Sequence, residues 1–170
     1  MLEFFAAMAV SIMVDTTRTE VYMIEESCSY SVYDNGIYRE LTQDDIDIMA
    51  RCVMSEAGGQ SDECKEAVAT TILNRWMSPR YSNSIPVIIN NAYSTADNGP
   101  VTKECYLAVY SAIAWWGSDF AVLPRSIYYF RADHYHEWAL DYRQIDDLYF
   151  SAPTDTSRSE ERRVGKECRS

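Results

Sequence analysis

The chain has 170 residues, of which 47% are hydrophobic and 13% aromatic, and its formal net charge is −11. This length suits one domain with a substantial core, and the apolar content excludes an intrinsically disordered protein. The acidity argues against nucleic acid as a partner, because phosphate backbones repel a chain of this charge.

The two ends of the chain differ from the part between them. Residues 1–14 contain an apolar run, Phe4 to Val14, whose length suits the core of a signal peptide and is too short to cross a bilayer. We therefore expect no stable membrane insertion. Residues 158–170, RSEERRVGKECRS, are polar and aperiodic and resemble a translated sequencing adapter, so we expect no function there.

Residues 15–40 are polar and tyrosine-rich without sustained periodicity, which predicts a lead-in or linker before a domain at 41–157. One stretch inside it has a clearer pattern. Tyr33–Tyr38 reads YDNGIY, and Asn-Gly favours a type I′ turn, so a small hairpin is expected there.

Two helices are predicted on either side of a Gly-Gly pair at 58–59. The first begins at Thr42, with Asp45 three residues later in a capping box, and ends at the glycines, which can adopt a left-handed C-cap. The second begins after the N-cap Ser61 and is ended by Pro79.

The remaining elements are shorter. A turn is expected around Ile85–Ile89 and a third helix from near Thr102 to Gly117, followed by strands at Ser126–Phe130 and Asp147–Ser151. These elements predict a small α+β fold in which helices dominate, with a short β-hairpin or small sheet near the C-terminus.

Four cysteines precede the C-terminal tail: Cys28, Cys52, Cys64 and Cys105. No pair has close metal-ligand spacing such as C-x-x-C, so we expect no metal site and no cofactor. An even count permits disulfides in an exported protein, whereas the last three also fall near apolar helical faces, where free buried thiols are common. Both states stay open at this point.

Glu56 occupies an unusual position on the first predicted helix. At about 100° per residue it falls between Met49 and Cys52, within the apolar arc. Burial and the negative end of the helix dipole both disfavour a carboxylate, so we predict a raised pKa, which a general acid needs near neutral pH. A partly exposed helix-end residue paired with Arg75 or Arg80 is the alternative that periodicity leaves open.

Three short motifs strengthen the catalytic interpretation: E-A-x-G at 56–59, V-A-x-x-x-x-N-R at 68–75, and Ser-Pro at 78–79. With them, residues 41–151 resemble the spore-cortex-lytic cell wall hydrolase family (SleB type). The later stretches SIYYFRADHYHEW and DLYFS fit the closing strands of that family. The resemblance implies a lysozyme-like catalytic fold that cleaves the glycan strands of peptidoglycan, with Glu56 as the catalytic glutamate.

The resemblance further implies lytic transglycosylase chemistry between MurNAc and GlcNAc, which gives 1,6-anhydro-MurNAc ends and needs one general acid/base carboxylate. A muramidase-type hydrolase would need a second carboxylate, for which Asp97, Asp133 and Glu137 are the candidates. A non-catalytic peptidoglycan-binding module would share the groove but would not need Glu56. A cysteine peptidase is disfavoured because no cysteine follows a catalytic pattern.

Several residues are expected to contact the glycan, because flat rings stack on apolar sugar faces. They are Tyr93, Ser94, Tyr129, His134, His136 and Trp138. The family often has Gln-Phe-Ser where this chain has Ala92-Tyr93-Ser94, so the amide of that motif is absent. Asn74 and Arg75 are expected to support the glutamate loop.

The expected partner is therefore the peptidoglycan glycan strand, bound by a monomer. The expected location is the cell wall or spore cortex if residues 1–14 act as a signal, and otherwise phage-type lysis from the cytoplasm.

Overall fold

A computed structural model describes residues 21–24, 29–34, 36–93 and 99–154 of the chain. The predictions made for residues 1–14, Cys28, Ser94, Asp97 and 158–170 lie outside these residues. The helices and strands of the described part are, in order, β1 (Val21–Ile24), β2 (Ser29–Asp34), β3 (Ile37–Leu41), α1 (Gln43–Ala57), α2 (Asp62–Met77), α3 (Ile85–Ala92), α4 (Lys103–Trp115), β4 (Tyr129–Ala132), β5 (Ala139–Ile145) and β6 (Leu148–Pro153).

The first three strands form an antiparallel sheet in the order β1-β2-β3. The hairpin predicted at 33–38 is confirmed, since Tyr33 pairs with Tyr38 across the turn. The stretch predicted as a lead-in or linker contains these three strands. Val32 and Leu41 are buried in the core, and the ring of Tyr30 packs against Tyr110 of α4. Such docking depends on contacts distant in the sequence, which a local pattern does not reveal.

Helix α1 begins as predicted. The Thr42 side chain accepts a hydrogen bond from the Asp45 N–H, and the Asp45 side chain accepts one from the Thr42 N–H, which completes the capping box. The predicted left-handed C-cap is wrong, because Gly58 has helical dihedrals of φ −56° and ψ −34°. A side chain at 58 would instead collide with Met54, whose sulfur lies 2.9 Å from the position of a Cβ.

Helix α2 is the central element of the fold. Its N-cap is Ser61 and it ends at Met77, two residues before Pro79, as predicted. From Cys64 to Met77 every residue except Glu66 is buried, because α1, α3 and α4 surround it. A helix covered on all sides forms the rigid centre on which functional side chains can be positioned.

Helices α3 and α4 complete the helical layer. The turn predicted at Ile85–Ile89 is an eight-residue helix with Pro86 in its first turn, and its isoleucines at 85, 88 and 89 are buried at helical spacing. Helix α4 begins after Thr102, as predicted. No helix in the described part of the chain is long and apolar enough to cross a membrane.

The last three strands form a second antiparallel sheet in the order β4-β6-β5. Strand β5 was not predicted, since it lies at the edge and five of its seven residues are exposed. Its turn to β6 docks on the start of α2, where the Asp146 carboxylate accepts a hydrogen bond of 2.8 Å from the Ser61 N–H. Hydrogen bonds with the Ser61 side chain and, secondly, with its backbone N–H lower the pKa of Asp146, and a negative charge suits a helix N-terminus. The turn therefore fixes the second sheet next to the loop that follows Glu56.

A clamp around Arg125 joins the first sheet to the segment before β4. Arg125 forms an ion pair of 2.6 Å with Asp34 of β2, and its guanidinium lies 4.6 Å from the ring centre of Trp116. It also donates a hydrogen bond of 3.3 Å to the Gly117 carbonyl. Gly117 has a φ of +73°, and a Cβ there would collide with the Arg125 guanidinium.

We expect Gly117→Ala to lower the free energy of unfolding by about 2–4 kcal/mol, measured by urea denaturation. About 1–2 kcal/mol arises from the left-handed backbone, and the rest from displacing Arg125 and weakening its pair with Asp34. Gly36→Ala is the matched control, because Gly36 has a φ of +82° with open space around it. Equal losses in the two variants would show that the clamp contributes nothing.

Candidate active site

Glu56 lies in the last turn of α1, partly buried, and borders a cleft of about 310 Å³. Arg75 of α2 and residues 92–93 at the end of α3 form one part of the lining. Residues 130–132 of β4 and Leu148 of β6 form the other. Glu56 is less exposed than Arg51, but its partial burial fits both the predicted inward position and the alternative of a partly exposed helix-end residue. Its catalytic role stays a prediction.

A second cleft, of about 440 Å³, adjoins the first and shares Arg75, Ala92 and Phe130 with it. Its walls come from α3, the segment after α2 and the second sheet. Most of its large side chains are aromatic: Tyr81, Tyr129, Phe130, His136 and Trp138. The aromatic region therefore lies next to the cleft that Glu56 borders.

The aromatic region is a compact cluster of three rings. Trp138 is 50% exposed, and the ring of His136 stacks on it at 4.6 Å and 28°. Tyr129 meets Trp138 edge-on at 4.8 Å. Burial lowers the pKa of His136, with smaller contributions from nearby cations, so the imidazole is neutral at neutral pH. A neutral stacked pair offers the flat, partly apolar surface on which a sugar ring can pack.

Arg75 lies where the two clefts meet and is only 9% exposed. Its Nε donates a hydrogen bond of 2.7 Å to the Tyr128 carbonyl. Three tyrosine rings surround its guanidinium, with ring centres at 4.9 Å for Tyr93, 5.4 Å for Tyr81 and 5.5 Å for Tyr129. Cation–π contacts and the backbone bond hold this charge in place on the central helix.

Asn74 holds the segment that leads into β4. Its side-chain nitrogen donates to the carbonyls of Pro124 and Ile127 at 2.9 and 2.8 Å, and its oxygen accepts a bond of 2.8 Å from the Trp116 indole. The expectation that Asn74 and Arg75 support the glutamate loop stays a prediction. Their described hydrogen bonds support the opposite wall, at 124–128, because the C-terminal half of α2 faces that segment.

Tyr93 forms part of the wall beside Glu56. Its hydroxyl lies 3.2 Å from the Thr71 hydroxyl, and its ring packs at 5.7 Å from Phe130. Burial raises the pKa of Tyr93 to about 12, partly offset by Arg75, so the phenol is neutral. Its ring is therefore held within the wall and borders the cleft from there.

The other predicted contact residues separate into three groups. Tyr129, His136 and Trp138 lie together in the second cleft. His134 is exposed and is not among the residues that line either cleft, so its contact with substrate stays a prediction. Ser94 lies outside the described residues.

Among the aromatic and charged residues that line the clefts, sequence reasoning missed Tyr81 and Arg131. A signal for Arg131 was present, since it follows Tyr129 by two residues on the same strand and so shares its face. Tyr81 follows the end of α2 without any periodic pattern.

Glu56 is the one carboxylate among the described residues that line the two clefts. Asp133 and Glu137 are exposed and lie outside this lining, and Asp97 is not among the described residues. Cys52, Cys64 and Cys105 are free and buried. Burial and the nearby Glu56 charge raise the pKa of Cys52, which opposes a thiolate nucleophile at this cleft.

Two solved structures share the fold of this chain. One is the catalytic domain of the Bacillus cereus SleB protein, with a TM-score of 0.54, 24% identity, and coverage of 65% of this chain and 91% of the other. The second is the catalytic domain of the germination-specific lytic transglycosylase SleB from Bacillus anthracis, with the same TM-score and identity and 96% of its chain covered. The predicted small, mainly helical α+β fold with a small sheet near the C-terminus, and its resemblance to SleB, are confirmed at the level of fold. No protein-family model and no curated protein matches the sequence.

Proposed function

We propose that this chain cleaves the glycan strands of peptidoglycan as a lytic transglycosylase, with Glu56 as its single general acid and base. The observation that carries the proposal is the position of Glu56, the one carboxylate in the described lining of a cleft that lies next to an aromatic region. The fold shared with two SleB catalytic domains supports the same activity.

In the proposed reaction, Glu56 donates a proton to the glycosidic oxygen between MurNAc and GlcNAc as the bond to the muramyl anomeric carbon breaks. The 6-hydroxyl of the same muramyl residue then attacks that carbon. The Glu56 carboxylate accepts the hydroxyl proton, which restores the acid and leaves a 1,6-anhydro ring. The proton returns to its donor, so the cycle needs no second carboxylate and consumes no water.

The cleft residues have separate roles in this scheme. Trp138 and His136 provide the stacking surface for a sugar ring next to the scissile bond. Tyr93 and Arg75 form the wall beside Glu56, and their hydrogen bonds and ring contacts limit movement at that wall. A preformed wall lowers the cost of orienting the glycan against the acid.

The first experiment is mass spectrometry of the soluble products formed when the full chain digests purified peptidoglycan. We expect anhydro-muropeptides, which are lighter by one water than reducing-end products and resist borohydride reduction. Reducing-end products would instead establish hydrolysis and direct attention to Asp97. A protein that sediments with the wall and releases no product would be a binding module.

A further inference from the structure

Positive charge is concentrated at the Glu56 cleft, although the chain as a whole has a net charge of −11. The described lining of this cleft contains two guanidinium groups, Arg75 and Arg131, and one carboxylate, Glu56. An acidic protein that places two arginines beside its proposed acid is suited to bind an anionic part of the substrate.

The two arginines differ in depth. Arg75 is nearly buried and is held by a backbone carbonyl and three tyrosine rings. Arg131 is exposed on β4, where its Cα partner is Tyr149 of β6. One charge is therefore fixed at the base of the cleft, and the other is free to adjust at its rim. The planar guanidinium matches a carboxylate through two parallel hydrogen bonds.

The positive charge of the cleft also acts on the aromatic cluster. Burial is the main cause of the lowered pKa of His136, and Arg131, His134 and Arg75 each lower it further. Both arginines are therefore close enough to act on the ring that stacks with Trp138. A sugar packed on that ring would carry its substituents into the positive region.

We propose that Arg131 and Arg75 form a carboxylate-binding site that recognises the acidic side group of the muramyl residue held beside Glu56. The inference rests on the proposed function, because the muramyl residue carries a lactyl group and a peptide stem, whereas GlcNAc carries no acid. In intact strands the carboxylates belong to the stem. In strands freed of stems the lactyl group itself is the carboxylate.

The test measures binding without cleavage, using the full-length Glu56→Gln variant and soluble glycan fragments. Stem-bearing and stem-free fragments are each prepared as carboxylates and as amides, the latter by carbodiimide coupling to ammonia. We expect the carboxylate form to bind about tenfold more tightly than its amide. The fragment type that shows this preference identifies the stem or the lactyl group as its source.

Adding Arg131→Gln to this background should remove most of the preference while affinity for the amides changes less than about twofold. Arg80→Gln, an exposed arginine outside the lining of both clefts, is the matched control and should keep the preference. Arg75→Lys, which keeps the charge without the planar fork, should reduce the preference and not merely overall affinity.

Equal affinity for acids and amides of both fragments would overturn the proposal, as would a preference unchanged by Arg131→Gln. Because no step requires turnover, a wild-type protein that fails to cleave peptidoglycan would contradict the proposed function and leave this comparison readable.

Discussion

The Glu56→Gln variant is expected to lose peptidoglycan cleavage by about 10²–10⁴-fold, which is the contribution of a positioned general acid and base. Glutamine has nearly the same shape and keeps a polar group at the cleft, but it can neither donate the acidic proton nor accept the hydroxyl proton. The fold should be retained, since Glu56 is only partly buried at the end of α1. Release of soluble muropeptides, followed over time, measures the loss.

Glu66→Gln is the matched control for this variant. Glu66 is also a partly buried helical glutamate, but it accepts a hydrogen bond of 2.8 Å from the Ser111 hydroxyl and lies outside the lining of both clefts. Its replacement should leave the cleavage rate within about twofold. A Glu56→Gln protein that is folded and retains more than about a tenth of the wild-type rate would exclude Glu56 as the general acid.

Asn74→Ala is expected to lower the free energy of unfolding by about 3–5 kcal/mol. The side chain is buried and makes hydrogen bonds to two carbonyls and one indole N–H. Alanine would leave all three partners without this bond in a place that water reaches poorly. The penalty of an unmade buried hydrogen bond exceeds the gain of an average one, so the effect is large for a single polar residue.

Chemical denaturation of the Asn74→Ala variant gives the loss in free energy of unfolding directly. Asn90→Ala, at an exposed position on α3, is the control and should change that free energy by less than about 0.5 kcal/mol. Asn74→Asp distinguishes the bond to Trp116 from the other two. It keeps an oxygen that accepts from the Trp116 indole and loses both N–H groups that donate to the Pro124 and Ile127 carbonyls. A loss below about 1 kcal/mol in Asn74→Ala would mean that the 124–128 segment is held by other contacts.

The helices could be predicted from the sequence because their signals are local. Thr42 and Ser61 cap α1 and α2 through bonds within three residues, and Pro79 ends α2 two residues after its last helical position. In the first sheet the only such signal was the Asn-Gly turn, which predicted the hairpin at 33–38. In β2 the buried residues Ser31 and Val32 are adjacent, so the strand lacks the alternation by which a half-buried strand is recognised. Its burial comes from docking against α4 and the Arg125 clamp.

The candidate site divides in the same way. The partial burial of Glu56 could be predicted from its angular position on a helix, which depends only on neighbouring residues. The meeting of Arg75, Tyr81 and Tyr129 depends on how the end of α2 packs against β4, about fifty residues further along the chain. Spacing in the sequence does not encode that distance, so the cluster around Arg75 became visible only in the fold.

The three buried cysteines give the protein an internal set of reporters. Burial raises the pKa of Cys64 to about 12 and raises that of Cys52 as well, so neither thiol ionises near neutral pH in the folded chain. Alkylating reagents react with thiolates, and therefore each cysteine becomes labelled only when its surroundings open. Cys52 lies one turn before Glu56, and Cys64 lies at the start of α2. The labelling rate of Cys52 would thus measure how often the end of α1 opens, and that of Cys64 how often the start of α2 opens. Both rates can be measured in the unmodified protein.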